Sequence, residues 1–234
     1  MAPTNFLVTG ASSGIGLELV RQLASIPNNA VYATVRKRGS SATGVDCISS
    51  IASTTAEGSS VTILEGIDVA EDAVGEILVS QLNGAVIDVL VHNAGSLNGT
   101  RDVDSSSLMS EQKLSHITMD RMRSAFEVNT LGPLRVQKAL LDANLMRTAS
   151  DGSSEAMPVG KVAIISTGLG SIADNTSGGN YAYRASKAAV NMIAKCLSCD
   201  LKDKGVSVRA IAPGFVATEF GPGTFSATLL LLYV

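Results

Sequence analysis

Short apolar runs alternate with stretches of helical spacing along most of the chain, and no other feature constrains the fold as much. The runs are rich in Val and Ile and are bounded by Gly, Asn, Asp or Ser, which is typical of buried strands. They cover residues 6–8, 30–35, 61–64, 86–91, 162–165 and 206–211, and the helical stretches cover 15–25, 70–82, 119–145 and 181–202. This alternation predicts an α/β fold, a doubly wound parallel sheet of Rossmann type with helices on both faces.

The length of 234 residues suits one α/β domain, and the sequence shows no internal repeat or linker that would divide it. Two polar stretches, 97–115 and 148–160, are rich in Ser, Asp and Gly and predict loops inserted at the surface. Pro133 falls inside the third helical stretch and predicts either a kink or the first turns of a helix. We therefore expect a single domain over residues 1–234.

The charge balance and the apolar content argue against several classes of partner. The net charge is −3, and the longest basic run, Arg36-Lys37-Arg38, is too short for a nucleic-acid tract. The apolar tail at 229–232 is far shorter than a membrane span, and the first strand begins too early to leave room for a signal peptide. The three cysteines, an odd number, suit a reducing compartment. We expect a cytoplasmic protein that binds neither nucleic acid nor membrane.

Cys196 and Cys199 form a C-x-x-C, a spacing found in redox and zinc sites. They fall inside a helical stretch, and no second Cys pair or nearby His completes a metal set. We therefore expect both thiols to line a packed face, and we expect no metal site.

A glycine-rich turn joins the first predicted strand to the first helix and reads Thr9-Gly10-Ala11-Ser12-Ser13-Gly14-Ile15-Gly16. Gly10 can adopt a tight turn, Gly14 lets backbone N–H groups approach a pyrophosphate, and Gly16 lets the helix pack closely on the strand. The helix N-terminus then faces the anion. A purely structural turn is the alternative, but the strand–turn–helix context favours cofactor binding. The candidate residues are Gly10, Ser12, Ser13, Gly14, Ile15 and Gly16.

The glycine spacing, G-x-x-x-G-x-G, resembles that of the short-chain dehydrogenase/reductase family, and further motifs extend the resemblance from residue 4 to about residue 220. Asp68 and Val69 follow the third strand, at a position where the family contacts the adenine. Residues 92–95 read His-Asn-Ala-Gly and resemble the family's Asn-Asn-Ala-Gly. The resemblance implies a Rossmann-type NAD(P)-binding domain and adds to the candidate cofactor site Asn93, Ala94 and Gly95.

The two histidines are interpreted as structural. His92 departs from the family pattern at a position of mainly structural role, so we expect a packing variant. His116 lies alone in a polar stretch, which predicts a surface residue.

Residues 170–187 resemble the subgroup of carbonyl reductases that includes the insect protein sniffer.

The end of the second strand indicates which dinucleotide is bound. An acid at this position would accept bonds from a ribose 2′-hydroxyl and repel a 2′-phosphate, whereas this chain has Arg36 and neither Asp nor Glu. The planar guanidinium suits a phosphate. The alternative is that Arg36 belongs to a solvated basic loop with no role in binding. We favour the 2′-phosphate site and therefore expect NADPH as the cofactor.

Tyr183 and Lys187 resemble the family's Y-x-x-x-K and lie one helical turn apart, so both side chains face the same way. An ammonium at ~4 Å would stabilise a phenolate by about 4 kcal/mol at an effective dielectric constant of about 20. Such a contact would bring the pKa of Tyr183 from about 10 to about 7, and the resemblance implies that Lys187 also holds the nicotinamide ribose. Tyr181 competes for the proton-donor role but has Ala185 four positions later. An ordinary surface pair is the alternative.

The resemblance implies further site residues. A hydroxyl after the fifth strand orients the substrate carbonyl, and the register assigns it to Thr167 where the family has serine, with Ser166 as the alternative. Asn129 matches the asparagine that kinks a helix and anchors a proton path to the lysine. Residues 213–218 resemble a P-G-x-V-x-T segment that closes over the nicotinamide carboxamide, which implicates Pro213, Gly214, Val216 and Thr218.

Together these features predict an enzyme that transfers a hydride from NADPH to a ketone or aldehyde, a small-molecule carbonyl substrate. The alternative is a catalytically weak or silent NADPH-binding protein, since the serine is replaced and the resemblance fails at 221–234. In that atypical tail we expect the family's final strand and substrate-covering region to be lost or altered. A third alternative, a scaffold that only keeps the fold, is disfavoured by the intact motifs. The sequence does not decide whether the chain forms a homo-oligomer.

Overall fold

The computed structural model describes residues 2–36, 42–97, 113–149, 159–214 and 216. Within these residues, six parallel strands form one sheet in the order β3-β2-β1-β4-β5-β6. They are β1 (Thr4–Val8), β2 (Asn29–Val35), β3 (Ser60–Glu65), β4 (Val89–His92), β5 (Gly160–Ile165) and β6 (Val206–Ile211). This order reverses direction between β1 and β4, as in doubly wound sheets, and the predicted fold class is confirmed.

In the described residues, six α-helices accompany the strands, namely α1 (Gly14–Ala24), α2 (Ala42–Ala52), α3 (Val74–Leu82), α4 (Met119–Phe126), α5 (Gly132–Asp142) and α6 (Tyr181–Asp200). Because strand side chains alternate between faces, the sheet carries an apolar layer on each side. On one side Leu7 and Leu90 pack with residues of α3, α5 and α6, and on the other Val8 and Val91 pack with residues of α1 and α2. Burial on both faces explains why β4 is buried along its whole length.

The helical stretch predicted at 119–145 is helical from Met119 to Asp142, and the kink expected at Asn129 takes the form of a π-helical turn. The structure has α4, then a π-helical turn at Glu127–Leu131 in which the Gly132 N–H bonds to the Glu127 carbonyl, and then α5. Pro133 lies in the first turn of α5, where its missing N–H costs nothing. The wider π-turn contains Asn129, so the break in the helix lies at a candidate site residue.

Three further expectations need correction. The third helix begins at Val74 and not at 70, because turns at Asp68 and Glu71 take the preceding N–H groups. The sequence pattern did not predict the helix α2. The packed face expected for Cys196 and Cys199 is wrong, since both thiols are exposed on α6.

Several expectations fall outside the described residues. These are the atypical tail at 221–234, Thr218, and most of the two polar stretches, 98–112 and 150–158. Among the described helices, none is both long and apolar enough to cross a bilayer. In the same part of the chain, no group of three or more His, Cys, Asp and Glu side chains is arranged to hold a metal ion.

Candidate functional site

The turn after β1 lies at the carboxyl edge of the sheet, where β1 and β4 are neighbours although residues 9–88 separate them in the sequence. Gly10 and Gly14 have φ angles of 65° and 55°, in the left-handed region that glycine tolerates at no steric cost. The Gly10 N–H donates to Thr34 Oγ1 at 3.2 Å, and the Ala11 N–H donates to the Thr34 carbonyl at 2.9 Å. The turn is therefore fixed from the side of β2.

Asn93 fixes the same turn from the side of β4. Its Nδ2 donates to the carbonyls of Thr9 and Gly10, both at 3.0 Å, while Thr9 Oγ1 accepts from the N–H groups of Asn93 and Ala94 at 3.0 and 3.1 Å. A Cβ on Gly16 would lie 2.4 Å from Asn93 Nδ2 and from the Gly10 carbonyl oxygen. Only glycine fits at position 16 without displacing the turn.

The start of α1 is suited to an anion. Ser13 is the N-cap residue with an extended backbone, and its exposed side chain makes no capping hydrogen bond to the first turn. The first N–H groups of a helix lack partners within it and carry its positive dipole end. Ser12 and Ile15 flank this end and are half-buried. The residues present therefore fit a pyrophosphate, because glycine backbone and open N–H groups form the cradle.

The helix α2 packs directly on this turn, a relationship that the sequence did not predict. A Cβ on Gly44 would lie only 2.3 Å from the Ser12 carbonyl oxygen, so the first turn of α2 approaches the backbone of the turn as closely as glycine allows. A glycine two residues inside a helix is the signal that was available for this contact.

Arg36, Asp68 and Val69 follow β2 and β3 at the same edge of the sheet. Arg36 is exposed. Asp68 Oδ1 accepts from the Ala70 N–H at 3.1 Å, and Val69 is buried. A Cβ on Gly132 would lie 2.9 Å from Val69 Cγ2, which shows that the Val69 side chain packs against the start of α5. Val69 therefore offers its main chain rather than its side chain to a ligand at this edge.

Tyr183 and Lys187 lie on the first two turns of α6 and face the carboxyl ends of β4 and β5. The Lys187 Nζ lies 5.8 Å from the centroid of the Tyr183 ring and donates to the Ile165 carbonyl at 2.7 Å. Lys187 is 5% exposed, so its ammonium group is held inside the protein. A Cβ on Gly95 would lie 3.8 Å from Nζ, which places the segment after β4 beside the ammonium. The structure thus brings together Tyr183, Lys187 and Gly95.

Burial decides the protonation of both groups, and it changes one expectation from the sequence. Burial raises the pKa of Tyr183 to about 12 and lowers the pKa of Lys187 to about 8. The predicted fall of the Tyr183 pKa toward about 7 is therefore wrong for the protein groups alone, because desolvation of the phenolate outweighs the nearby cation. At neutral pH Tyr183 carries its proton and Lys187 is mostly charged.

Asn129 is 1% exposed and connects the π-turn to both neighbouring segments. Its Oδ1 accepts from the Ser96 N–H and its Nδ2 donates to the Ser96 carbonyl, both at 2.8 Å. Nδ2 also donates to Ser186 Oγ at 3.0 Å, and a Cβ on Gly95 would lie 3.4 Å from Oδ1. Asn129 therefore fixes the segment after β4 against α6 close to Lys187.

The two hydroxyls after β5 have different surroundings. Ser166 is buried, and its Oγ donates its proton in a hydrogen bond to Asn191 Oδ1 at 2.6 Å, inside the protein. Thr167 is half-buried, and its Oγ1 accepts from the Leu169 N–H at 3.2 Å at the start of a short 3₁₀-turn, Gly168–Gly170. This bond uses a lone pair and leaves the hydroxyl proton of Thr167 to donate.

The segment after β6 continues the same edge of the sheet. Pro213 is half-buried, Gly214 is exposed with a φ angle of 79°, and Val216 packs partly buried against the layer that contains α1 and α2. Thr218, the last residue of the predicted segment, lies outside the described residues.

His92 closes β4 as a buried residue, with 2% of its surface exposed, which agrees with a packing role. Burial lowers its pKa to about 3, although the neighbouring Gln137 side chain favours the charged form. Within the described ranges, neither amide atom of Gln137 nor His92 Nε2 has a hydrogen-bond partner. His92 is therefore a neutral core residue, while His116 is exposed, as expected.

Two residues that support the site were not singled out from the sequence. Ser186 is fully buried, and its Oγ accepts from Asn129 and donates to the Tyr183 carbonyl at 2.9 Å. Arg184 donates to the Leu169 carbonyl and to Ser177 Oγ. Both lie between Tyr183 and Lys187 in the sequence, and that position was the available signal.

Comparisons with known proteins show the family to which the chain belongs. A family model described as short chain dehydrogenase matches residues 4–227. A dehydrogenase of Rhodococcus sp. (strain AD45), named for 1-hydroxy-2-glutathionyl-2-methyl-3-butene, is 33% identical over 215 residues, which cover 91% of this chain and 78% of that protein.

Two solved structures show the same fold. The carbonyl reductase Sniffer of D. melanogaster superposes with a TM-score of 0.78 at 27% identity, covering 96% of this chain and 87% of that one. An NADPH-bound carbonyl reductase from chicken fatty liver gives a TM-score of 0.76 at 27% identity, covering 97% and 81%. Both structures are carbonyl reductases, and one was solved with its dinucleotide.

Proposed function

The chain belongs to the short-chain dehydrogenase family, as its motifs predict, and from this premise we propose that it reduces a ketone or aldehyde with NADPH. Tyr183 is the proton donor in this proposal, and the whole chain, residues 1–234, acts as one NAD(P)-binding domain. The substrate is a small carbonyl compound.

One observation carries the proposal, namely a buried ammonium that is held at the end of β5 and lies near a tyrosine ring of α6. Lys187 Nζ lies 5.8 Å from the Tyr183 ring centroid and is fixed by the Ile165 carbonyl, two residues before Thr167. A core rarely buries a lysine unless the charge has a use, because the desolvation is costly. Here the charge lies beside a group whose oxygen can give and take a proton.

The residues that would hold the dinucleotide lie along one edge of the sheet. The N–H groups at the start of α1 suit its pyrophosphate, Arg36 suits a 2′-phosphate, and Lys187 suits the ribose next to the nicotinamide. Asp68 and Val69 would border the adenine, and the segment 213–218 the carboxamide. When bound, NADPH supplies the hydride, and the chicken carbonyl reductase, whose structure contains NADPH, supports this choice.

The side chains of the protein handle the proton and the orientation of the carbonyl. Tyr183 is protonated at neutral pH because its pKa is about 12, so it can donate to the oxygen that becomes an alcohol. The charge of Lys187 favours the phenolate that remains. Thr167 donates a hydrogen bond to the same oxygen and orients the carbonyl without giving up its proton. Asn129 fixes the surroundings of Lys187 and anchors the water-linked path by which Tyr183 regains its proton.

The experiment that tests the proposal is a panel of ketones and aldehydes with NADPH oxidation as the readout, beside a measurement of NADPH affinity by fluorescence. We expect turnover of at least one class of carbonyl compound. If NADPH binds and no compound in the panel is reduced, the chain is the silent NADPH-binding protein that the sequence left as the alternative.

A further inference from the structure

We propose that Arg184 is a positioning residue that holds the orienting hydroxyl of Thr167 in place relative to Tyr183. This inference rests on the proposed reductase function for its catalytic consequence. Arg184 directly follows Tyr183 in the first turn of α6, so its backbone moves with the proton donor.

The guanidinium reaches from α6 to the segment that carries Thr167. Its Nη1 donates to the Leu169 carbonyl at 3.3 Å, and the N–H of the same Leu169 donates to Thr167 Oγ1 at 3.2 Å. Leu169 therefore lies between the arginine and the hydroxyl and is bonded to both. A shift of Arg184 would be passed through one residue to Thr167.

A second bond of the same guanidinium fixes the loop between the two site segments. Nη2 donates to Ser177 Oγ at 2.9 Å. Within the part of the chain that the structure describes, the other hydrogen bonds of this loop are local, such as the Gly178 N–H to Asn175 Oδ1 at 3.0 Å and the Asp174 N–H to Ser171 Oγ at 3.3 Å. A planar fork can serve two acceptors at a fixed angle, which a lysine ammonium does less well.

Arg184 is half-buried where the 3₁₀-turn meets α6. Its Nε is buried and has no hydrogen-bond partner among the described residues, so within them the side chain carries the penalty of an unsatisfied donor. The 3₁₀-turn meets α6 closely beside it, since a Cβ on Gly170 would lie 3.0 Å from the Lys187 carbonyl carbon. The guanidinium and this close contact together fix the turn against the helix at two points.

The test compares Arg184→Met, Arg184→Lys and Ser177→Ala, with Arg123→Met as the matched control, because Arg123 is an exposed arginine paired within α4. We expect Arg184→Met to lower kcat about tenfold and to leave the NADPH Kd within about twofold. Arg184→Lys should restore only part of the loss, and Ser177→Ala, which removes one bond and leaves the fold intact, should give a smaller loss. The control should change nothing.

A double mutant separates positioning from general destabilisation. In a Thr167→Val background, Arg184→Met should change kcat by less than about twofold, because the hydroxyl it positions is gone. If the two losses multiply instead, Arg184 acts independently of Thr167 and the proposal is overturned.

Amide hydrogen exchange tests the contact between Arg184 and the 3₁₀-turn even if the protein shows no reductase activity. The amides of Leu169, Gly170 and Ser171 are bonded within the turn, and we expect Arg184→Met and Ser177→Ala to speed their exchange while amides of β1 stay protected. Unchanged exchange at these amides in both variants contradicts the proposal. If the wild-type protein reduces no carbonyl compound but the exchange changes as expected, it is the reductase function that fails, and the structural role of Arg184 stands.

Discussion

Lys187 Nζ lies 5.8 Å from the centroid of the Tyr183 ring and is bonded at 2.7 Å to the carbonyl of Ile165, so the end of β5 sets the position of the cation beside the ring. The helix α6 alone would leave a lysine of this length free to reach solvent. The pair is therefore a property of the sheet and the helix together.

Removing the proton donor should separate chemistry from binding. We expect Tyr183→Phe to lower kcat by about 10²-fold or more, because general acid catalysis is lost, and to leave the NADPH Kd nearly unchanged. Tyr181→Phe is the matched control, since Tyr181 lies in the same helical turn and is 39% exposed. Steady-state rates and fluorescence titration measure both effects. Retention of more than a few per cent of activity in Tyr183→Phe would mean that the proton comes from another group.

The buried charge of Lys187 should appear in the pH dependence of stability. Its pKa is about 8 in the folded chain and 10.5 in the unfolded chain, so between these values the unfolded chain binds more protons and stability rises with pH. Relative to Lys187→Met, the wild type should gain about 2 kcal/mol of unfolding free energy between pH ~7 and pH ~9.5. Urea unfolding at both values measures this difference. A constant difference would show that the ammonium is not desolvated.

The two hydroxyls after β5 should differ in their roles. We expect Thr167→Val to lower kcat by about 10²-fold and Thr167→Ser to keep or raise it, because serine can make the same hydrogen bonds. Ser166→Ala should lower the melting temperature and leave kcat largely intact, since Ser166 Oγ donates to Asn191. The reverse pattern, with activity lost in Ser166→Ala and kept in Thr167→Val, would assign the orienting role to Ser166.

The choice between dinucleotides should depend on Arg36. We expect NADPH to bind at least about tenfold more tightly than NADH, because a guanidinium attracts the 2′-phosphate and no acid replaces it. Arg36→Asp should erase or reverse this preference. Lys195→Asp, which changes the net charge equally at an exposed position on α6, is the control. Equal affinity of the wild type for both dinucleotides would contradict the assignment.

His92 should make the fold sensitive to acid. Its pKa is about 3 when folded and 6.5 when unfolded, so its contribution to stability is complete above pH 6.5 and is lost as the pH falls toward 3. At pH ~5 the loss should be about 2 kcal/mol. His92→Asn should remove this part of the pH dependence, and His116→Asn, the exchange of the chain's other histidine, should not. The same acid dependence in His92→Asn would exclude His92 as the cause.

The sheet was predictable because its signal is local. Runs such as 206–211 are β-branched and apolar, and burial on both faces requires that composition. The predicted run at 86–91 shows the limit, since β4 begins only at Val89 and Ile87 instead forms an isolated bridge with Met146. The helix α2 lacked a comparable signal, because its Gly, Thr and Ser are weak helix formers.

The site residues were recognisable by type, but their connections depend on tertiary contacts. Nothing in the local sequence shows that the π-turn places Asn129 between Ser96 and Ser186. The pKa of Tyr183 was wrongly predicted for the same reason. The spacing along the helix identifies Lys187 as a neighbour, but it does not show how far burial removes the Tyr183 hydroxyl from solvent, and this burial raises the pKa. The exposed position of Cys196 likewise follows from the side of α6 that meets the sheet.

The turn between β1 and α1 has a consequence for the entropy of binding. Thr34 and Asn93 fix it from both sides through hydrogen bonds within the protein, so its conformational freedom is already given up when the chain folds. A dinucleotide bound as we propose would meet a preorganised turn there and would not have to order these residues. The proposed pyrophosphate contact would therefore cost little conformational entropy, and a substitution at Arg36 would change the choice between NADPH and NADH without altering this turn.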